Sequence, residues 1–336
     1  MISSLENSEN KEFILANKLF KMGFLPGPRN CSCGANYFII QNDNSYAINK
    51  CSFRCGNYKC RKKYPITVNS FYSLFPKQKL SLVSEIIKCF ICYEYNTKKA
   101  YEYISNNYDV FVGQNIITKI YKKIRFIICK YMKIYYQSNI LGEKDESKYF
   151  SIDESLISHI GGKQVWLLGI IDNIKKDFRL EASFKRDEIT IKAFISKFVE
   201  KGNTICSDGW QSYSFLGNPQ SGYNHISHLH SLGNFGLGIS STSHIESIWA
   251  QIKGNIKKTY NVIPNKNFMG FVREQEYKIK IKNLGTDEKI KYFFESYETI
   301  NNVEDNALLE VDNLFLPDYP ANAIGIGDSD DDSDEN

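Results

Sequence analysis

The sequence predicts an α/β protein. A mixed central sheet flanked by helices is preceded by a small cysteine-rich β unit and a helical unit. Three observations carry this expectation. From residue 148 the apolar pattern changes from a helical to a two-residue period, and three strand candidates follow in succession, KYFSIDE, KQVWLLGIID and DFRLEASF. Upstream, residues 77–137 repeat their apolar positions at helical spacing. Before them, residues 29–75 hold five of the nine cysteines among aromatic and β-branched residues. A length of 336 residues suits two or three domains, and 42% apolar with 24% charged residues is the composition of a soluble protein with real cores. No run of about 18 uncharged apolar residues exists, so no membrane span is predicted. The start, MISSLENSENKEF, lacks the basic and apolar regions of a signal peptide. The chain therefore reads as intracellular, in the nucleus of a eukaryote or the cytoplasm or nucleoid of a prokaryote. Cysteines in that setting serve metals or stay free thiols rather than forming disulfides.

Residues 1–28 form a lead-in helix (KEFILANKLFKMGF) stopped at Pro26-Gly27-Pro28. Residues 29–75 then carry Cys31 and Cys33, Cys51, and finally Cys55 and Cys60. Two thiolate pairs separated by the length of a β-hairpin make a zinc ribbon, in which tetrahedral Zn²⁺ closes a fold too small to hold itself together. Cys31, Cys33, Cys55 and Cys60 are the expected ligands. The first pair is tighter than the usual C-x₂-C, and Cys51 is a spare able to replace a ligand. Buried free cysteines are the alternative, but five within residues 31–60 is dense for that. Arg54, Lys59, Arg61, Lys62 and Lys63 crowd the second pair and suit phosphate contact, or else form a solvated face. Cys89, Cys92, Cys129 and Cys206 lie in apolar runs and read as core.

Residues 77–137 contain a helix (LSLVSEIIKCFICYEY), a short second one (TKKAYEYISNNY) and a long third one from Val112. The third carries Lys119, Lys122, Lys123, Arg125 and Lys130 among apolar positions. A short helix, a turn and a longer basic helix outline a helix-turn-helix, with Lys122, Lys123 and Arg125 as DNA contacts; a plain helical bundle has the same outline.

After the three strands come a helix (IKAFISKFVEK), a short buried strand (NTICSD), a short helix (WQSYSFLG), a strand (YNHISH), a helix from Ser243 and a further helix (FMGFVREQEYKIKIKNL). That order, over residues 148–290, is the order of a ribonuclease H-like domain. There is no internal repeat. Residues 291–336 are read as an acidic segment whose end, 327–336, is a disordered tail. Residues 301–336 hold eleven acids and no Lys or Arg, so the net charge of +4 conceals +15 on residues 1–300. A body that basic meets a polyanion.

Asp153 ends the first strand as read from the pattern, Asp208 ends NTICSD, and Glu246 opens the helix after Ser243. Each has a plain alternative. Asp153 is a strand-end acid with Glu154 as a rival, Asp208 a turn residue before Gly209, and Glu246 the acid of a Ser243-x-x-Glu246 capping box. In a ribonuclease H-like sheet the first and fourth strands are neighbours, so their terminal acids meet and a crossing helix can bring in a third. Carboxylates gathered without a buried cation repel one another unless metal ions sit among them. The set fits two Mg²⁺ or Mn²⁺ ions about 3.5–4 Å apart, the clamp for in-line attack on a phosphodiester. Of the histidines, His225 and His228 read as satisfied residues, and His230 as a neighbour of the acids.

The segments FRCGNYKCRKKYPITVNSFY, SIDES, WLLGIID, SDGWQSY, GYNHISHLHS and HIESIWAQIK resemble those of Merlin-type DDE transposases, similar to ISXO-like insertion-sequence transposases. Glu246, Trp249 and Lys253 match the family's acid, Trp three on and Lys seven on. The resemblance implies a ribonuclease H-like fold, divalent metal and cut-and-paste of DNA at terminal inverted repeats. It implies Asp153, Asp208 and Glu246 as the metal-binding triad and Lys253 as a phosphate contact. Synapsis of two DNA ends implies a dimer or larger assembly. The departures are the shortened first Cys pair, Leu229 where Asn is usual, His244 where a small polar residue is usual, and the acidic tail. A domesticated DNA-binding protein without catalysis and a ribonuclease H-like nuclease or resolvase without strand joining are the rival readings.

Overall fold

The computed structural model describes residues 6–108, 112–143, 149–228, 242–259 and 268–302. His230, Leu229 and the acidic segment from 303, with its expected tail, lie outside the described residues. The chain forms two compact units, one from the residues up to Tyr131 together with those from Ile281, the other from Met132 to Lys280.

The first unit opens with helix α1 (Glu6–Lys21). It ends in a Schellman motif, with Phe24 N–H donating to Leu19 C=O, Gly23 N–H donating to Phe20 C=O, and Gly23 at φ +82°. A three-stranded antiparallel sheet follows, in the order β1 (Phe38–Asn42), β2 (Cys51–Cys55), β3 (Lys63–Pro65). Helices α2 (Leu80–Ile91), α3 (Thr97–Asn107) and α4 (Gln114–Ser138) come next, in the three places the periodicity predicts. Asn96 caps α3 by accepting from Lys99 N–H at 2.9 Å. Cys89 and Cys129 are buried as expected, whereas Cys92 is only half-buried and reaches Thr286 C=O. Helix α8 (Thr286–Asn302) runs across position 290, where the sequence reading placed a boundary. Its Phe293 and Phe294 complete an aromatic cluster with Phe24, Phe71 and Tyr72, which draws α8 into this unit.

The second unit is a five-stranded mixed sheet in the order β6-β5-β4-β7-β8. The strands are β4 (Tyr149–Ile160), β5 (Lys163–Asp172), β6 (Phe178–Ser183), β7 (Thr204–Asp208) and β8 (Asn224–His228). The first three pair antiparallel, and β4, β7 and β8 pair parallel. The first strand is thus central with the fourth beside it, the arrangement expected from the element order. One expectation is corrected. β4 does not end at Asp153 but continues to Ile160, where Gly161 and Gly162, both at positive φ, make the two-residue turn into β5. Asp153 instead lies where the parallel pairing with β7 ends.

Helices α6 (Ser243–Thr259) and α7 (Phe268–Lys280) cover one face of this sheet. Their Ile245, Ile248, Trp249, Phe268 and Val272 pack on Val165, Leu167 and Leu180. The other face carries α5 (Glu188–Phe198) and the short 3₁₀ segment Gln211–Gly217. Glu276 of α7, 1% exposed, ties the layers together. It accepts from Leu180 N–H at 2.9 Å, from Arg273 at 2.7 Å and from the Tyr136 hydroxyl near the end of α4. Glu276→Ala strands a buried guanidinium, a hydroxyl and a backbone N–H together. The expected loss is about 3–5 kcal/mol of stability, read as a lower denaturant midpoint.

Candidate active site and cysteine cluster

Cys206 of β7 pairs with Ser151 of β4 in parallel register. Two residues beyond this last register pair stand Asp208 and Asp153, so by alternation both acids project to the same face just past the end of the parallel pairing. His228 of β8 is the register partner of Asp208, which extends the row across a third strand. The sequence reading took His228 as a satisfied histidine and did not place it beside the acids. His225 fits that description, with its ring nitrogen 2.9 Å from Ser207 Oγ. Burial pushes the Asp153 carboxyl up to about 6, and the charges of Asp208 and Glu246 push in the same direction. Asp208 Oδ1 accepts from Trp210 N–H at 3.0 Å. Oδ2 of Asp208 and Oε2 of Glu246 accept no hydrogen bond from any described residue.

Glu246 is not the acid of the expected capping box. Thr242 C=O accepts from Ile245 N–H at 3.1 Å and Glu246 N–H at 3.3 Å, so α6 begins one residue earlier than the sequence pattern indicates. Thr242 is then the N-cap and Glu246 the fourth helical residue, past the position from which a box acid reaches back. Its carboxylate is held loosely by the Thr242 hydroxyl at 3.5 Å.

Trp249, one turn beyond Glu246, joins this helix to the central strand. Its indole N–H donates to Asp153 Oδ2 at 2.8 Å. Gly169 is the register partner of Asp153 on β5, and a Cβ there would lie 2.5 Å from the Trp249 ring and 2.8 Å from Ile245. The missing side chain is the room in which the indole sits. Gly169→Ala is expected to push the ring off Asp153, and Trp249→Phe to remove only the N–H. Both should push the Asp153 carboxyl further up, because the indole N–H favours its charged form. An NMR pH titration of the Asp153 side chain measures it.

Glu154 points to the opposite face, as alternation requires. It is buried, accepts from the Tyr213 hydroxyl and lies 3.9 Å from Arg186. Burial raises its carboxyl to about 7. It is therefore no substitute for Asp153 in the row of acids.

In the first unit, the sulfur atoms of Cys31, Cys33, Cys55 and Cys60 lie within 4.8 Å of one another. Cys31 and Cys60 are 3.5 Å apart, and Cys33 and Cys55 3.6 Å. A tetrahedron with metal–sulfur bonds of about 2.3 Å has edges of about 3.8 Å, so the four fit one zinc ion. The N–H of Cys33 and the Tyr64 hydroxyl hold the Cys31 thiol down to about 6. Cys51 stands apart, fully buried in β2 with its thiol pushed up to about 12 by burial. Among the described residues this is the one cluster of His, Cys, Asp or Glu closed to ligand distance; the three carboxylates are spread wider.

The basic residues divide by what they touch. Lys59, Arg61 and Lys62 lie on the exposed β2–β3 turn around Cys60. Lys63 is paired with Asp43 at 2.8 Å, and Arg54 keeps its Nε buried. On α4, Lys122 is exposed, Lys123 lies over Phe126, and the Arg125 guanidinium lies over Phe90 and Tyr121. Lys253 is exposed on α6, two turns beyond Glu246.

The second unit is thus a mixed α/β domain in which two strands and a helix bring three acids towards one another. Residues 144–280 match the family model of the ISXO2-like transposase domain, so this stretch of the chain is similar to ISXO-like DDE transposases. No curated protein matches the chain. Among solved structures, the simian T-cell lymphotropic virus intasome in complex with PP2A regulatory subunit B56 gamma is 10% identical, with a TM-score of 0.30 over 41% of this chain and 49% of that one. The chain therefore spans about half the length of that relative. The HTLV-2 integrase catalytic core domain in complex with magnesium is 11% identical in its dimeric form, with a TM-score of 0.28 over 41% of this chain and 87% of that one. Its trimeric form is 15% identical, with a TM-score of 0.25 over 48% and 91%. No helix among the described residues is long and apolar enough to cross a membrane.

Proposed function

We propose that the chain is a DNA transposase that cuts at terminal inverted repeats and joins the resulting 3′-OH ends to target DNA. The observation that carries this is that Asp153 and Asp208 each stand two residues past the last paired positions of adjacent parallel strands, with Glu246 brought towards them by the Trp249 tie. The donor set is all carboxylate oxygen and like-charged, and two of the acids keep an oxygen that accepts no hydrogen bond from a described residue. Such a set suits Mg²⁺ or Mn²⁺. Bound there, two such ions would supply activation of the attacking water or 3′-OH and stabilisation of the leaving oxygen. Asp153 and Asp208 would hold the ions from the sheet, Glu246 from the helix, and Lys253 would meet a neighbouring phosphate. Trp249 fixes the Asp153 carboxylate before any metal arrives.

In the first unit, Cys31, Cys33, Cys55 and Cys60 would hold structural Zn²⁺. Lys59, Arg61 and Lys62 on the same turn, with Lys122 on α4, would contact the backbone of the DNA ends. Joining two ends calls for at least two copies of the chain.

The test is incubation of the full-length protein with DNA carrying the sequences that flank its coding region, in Mg²⁺ or Mn²⁺ and in chelator. Metal-dependent nicks at inverted repeats followed by joined products are expected. Cleavage without joining would favour a nuclease or resolvase, and binding without cleavage a silent DNA-binding protein.

A further inference from the structure

On the sheet face opposite Asp153, the Arg186 guanidinium lies over two indoles, 3.9 Å from the ring centre of Trp166 and 4.5 Å from that of Trp210. Trp166 projects from β5, where it pairs with Leu156 on one side and Ser183 on the other. Trp210 follows Asp208 and Gly209 at the end of β7 and is held edge-on by buried Tyr213. Arg186 stands just before Asp187, the N-cap of α5.

The stack differs from the other arginine sites of this unit. Arg179 donates to the carbonyls of Phe178 and Asn139, and Arg273 to Leu180 C=O and Glu276. Both are tied into the fold through their terminal nitrogens. Arg186 makes no hydrogen bond to any described residue, and its side chain is 42% exposed. Its nearest carboxylate oxygen, on Glu154, is 3.9 Å away, beyond hydrogen-bond range. Glu154 is itself 6% exposed in its side chain and accepts from Tyr213. Both indoles lie against the guanidinium carbon, and with no hydrogen bond made to a described residue its N–H groups are the part left for a partner. A planar edge of paired donors matches the two non-bridging oxygens of a phosphodiester. Held by the rings, it loses little freedom on binding.

We propose that Arg186, clamped by Trp166 and Trp210, is a phosphate-binding site for the DNA strand that passes the acids. The inference rests on the transposase reading and deepens it. Trp210 is two residues from Asp208, so the clamp and one of the metal-binding acids are set by the same strand end. A phosphate gripped there fixes the position of its strand relative to Asp153 and Asp208.

The experiment measures binding of the full-length protein to a duplex carrying the flanking sequences, with Ca²⁺ in place of Mg²⁺ to hold back cleavage, across a range of salt. Arg186→Gln is expected to weaken binding on the order of tenfold and to lower the slope of log K against log salt by about one. Arg186→Lys keeps the charge without the flat donor edge, so it should retain the slope and recover part of the affinity. A methylphosphonate scan of the duplex should find one position that weakens the parent and leaves Arg186→Gln unaffected. Parental affinity and slope in Arg186→Gln would overturn the proposal, as would a weakened Arg186→Gln with the parental slope and no differential phosphate. If the parent cuts and joins DNA while Arg186→Gln gives either result, only the clamp falls. A parent that binds no DNA overturns both the clamp and the transposase reading.

Discussion

Asp208→Asn is expected to leave the protein folded and to lower metal-dependent DNA cleavage by about 10³-fold or more. Asp208 is held at its position by backbone, through Trp210 N–H on Oδ1, and asparagine keeps an acceptor there. What it removes is the charge on the oxygen left open. Metal clamps contribute several kcal/mol of transition-state stabilisation, and each 1.36 kcal/mol is tenfold in rate. Asp153→Asn should fall as far, because in the proposed site the two acids stand on one pair of strands and would hold the same ions. The double variant should be little worse than either single one, since groups that act as a unit are not additive. Single-turnover cleavage with matched circular dichroism measures it. A folded Asp208→Asn that cuts within tenfold of the parent would remove Asp208 from the site.

Removal of zinc is expected to have the largest effect on stability. The three strands around the cysteines are short, and β3 has only three residues. Structural zinc in small modules contributes about 10–16 kcal/mol of apparent binding energy, as much as the whole stability of an ordinary domain. The purified protein should carry one zinc per chain. Chelation should melt β1–β3 and abolish binding to the flanking DNA, while the second unit, with its own core around Val165, Leu167 and Trp249, remains folded. Cys60→Ser should behave like the chelated protein, whereas Cys51→Ser should keep its zinc, because Cys51 is outside the cluster. Metal analysis and amide exchange over residues 29–75 give the readout. A zinc-free preparation that binds DNA normally would contradict the assignment.

Local signals in the sequence were enough for some of these features. NTICSD is a short apolar run closed by an acid and a glycine, and β7 ends at Asp208 as that pattern indicates. Four of five closely spaced cysteines converge, and the one left out, Cys51, is set aside by the geometry of β2 rather than by spacing. What was missed depended on distant partners. The continuation of β4 past Asp153 needs the Gly161-Gly162 turn and the whole of β5 to pair with it. The tie from Trp249 to Asp153 spans 96 residues of chain, and in sequence Trp249 is one more apolar position on a helix. Gly169, unremarkable in WLLGIID, gains its reason only when the indole is seen against it. The start of α6 moved by one residue, enough to take Glu246 out of the capping box. Helix α8 has an apolar stripe, yet its place among Phe24, Phe71 and Tyr72 depends on rings more than 200 residues earlier.

Cleavage and strand joining in Mg²⁺ by the parent and by Glu246→Gln, on DNA carrying the flanking sequences, decide whether three carboxylates form the site. Glu246 lies outside the capping box, so the substitution removes a charge at the site without removing a helix cap. The parent is expected to cut and join while a folded Glu246→Gln does neither. Equal activity in the two would contradict it, and the three-carboxylate site would have to be withdrawn.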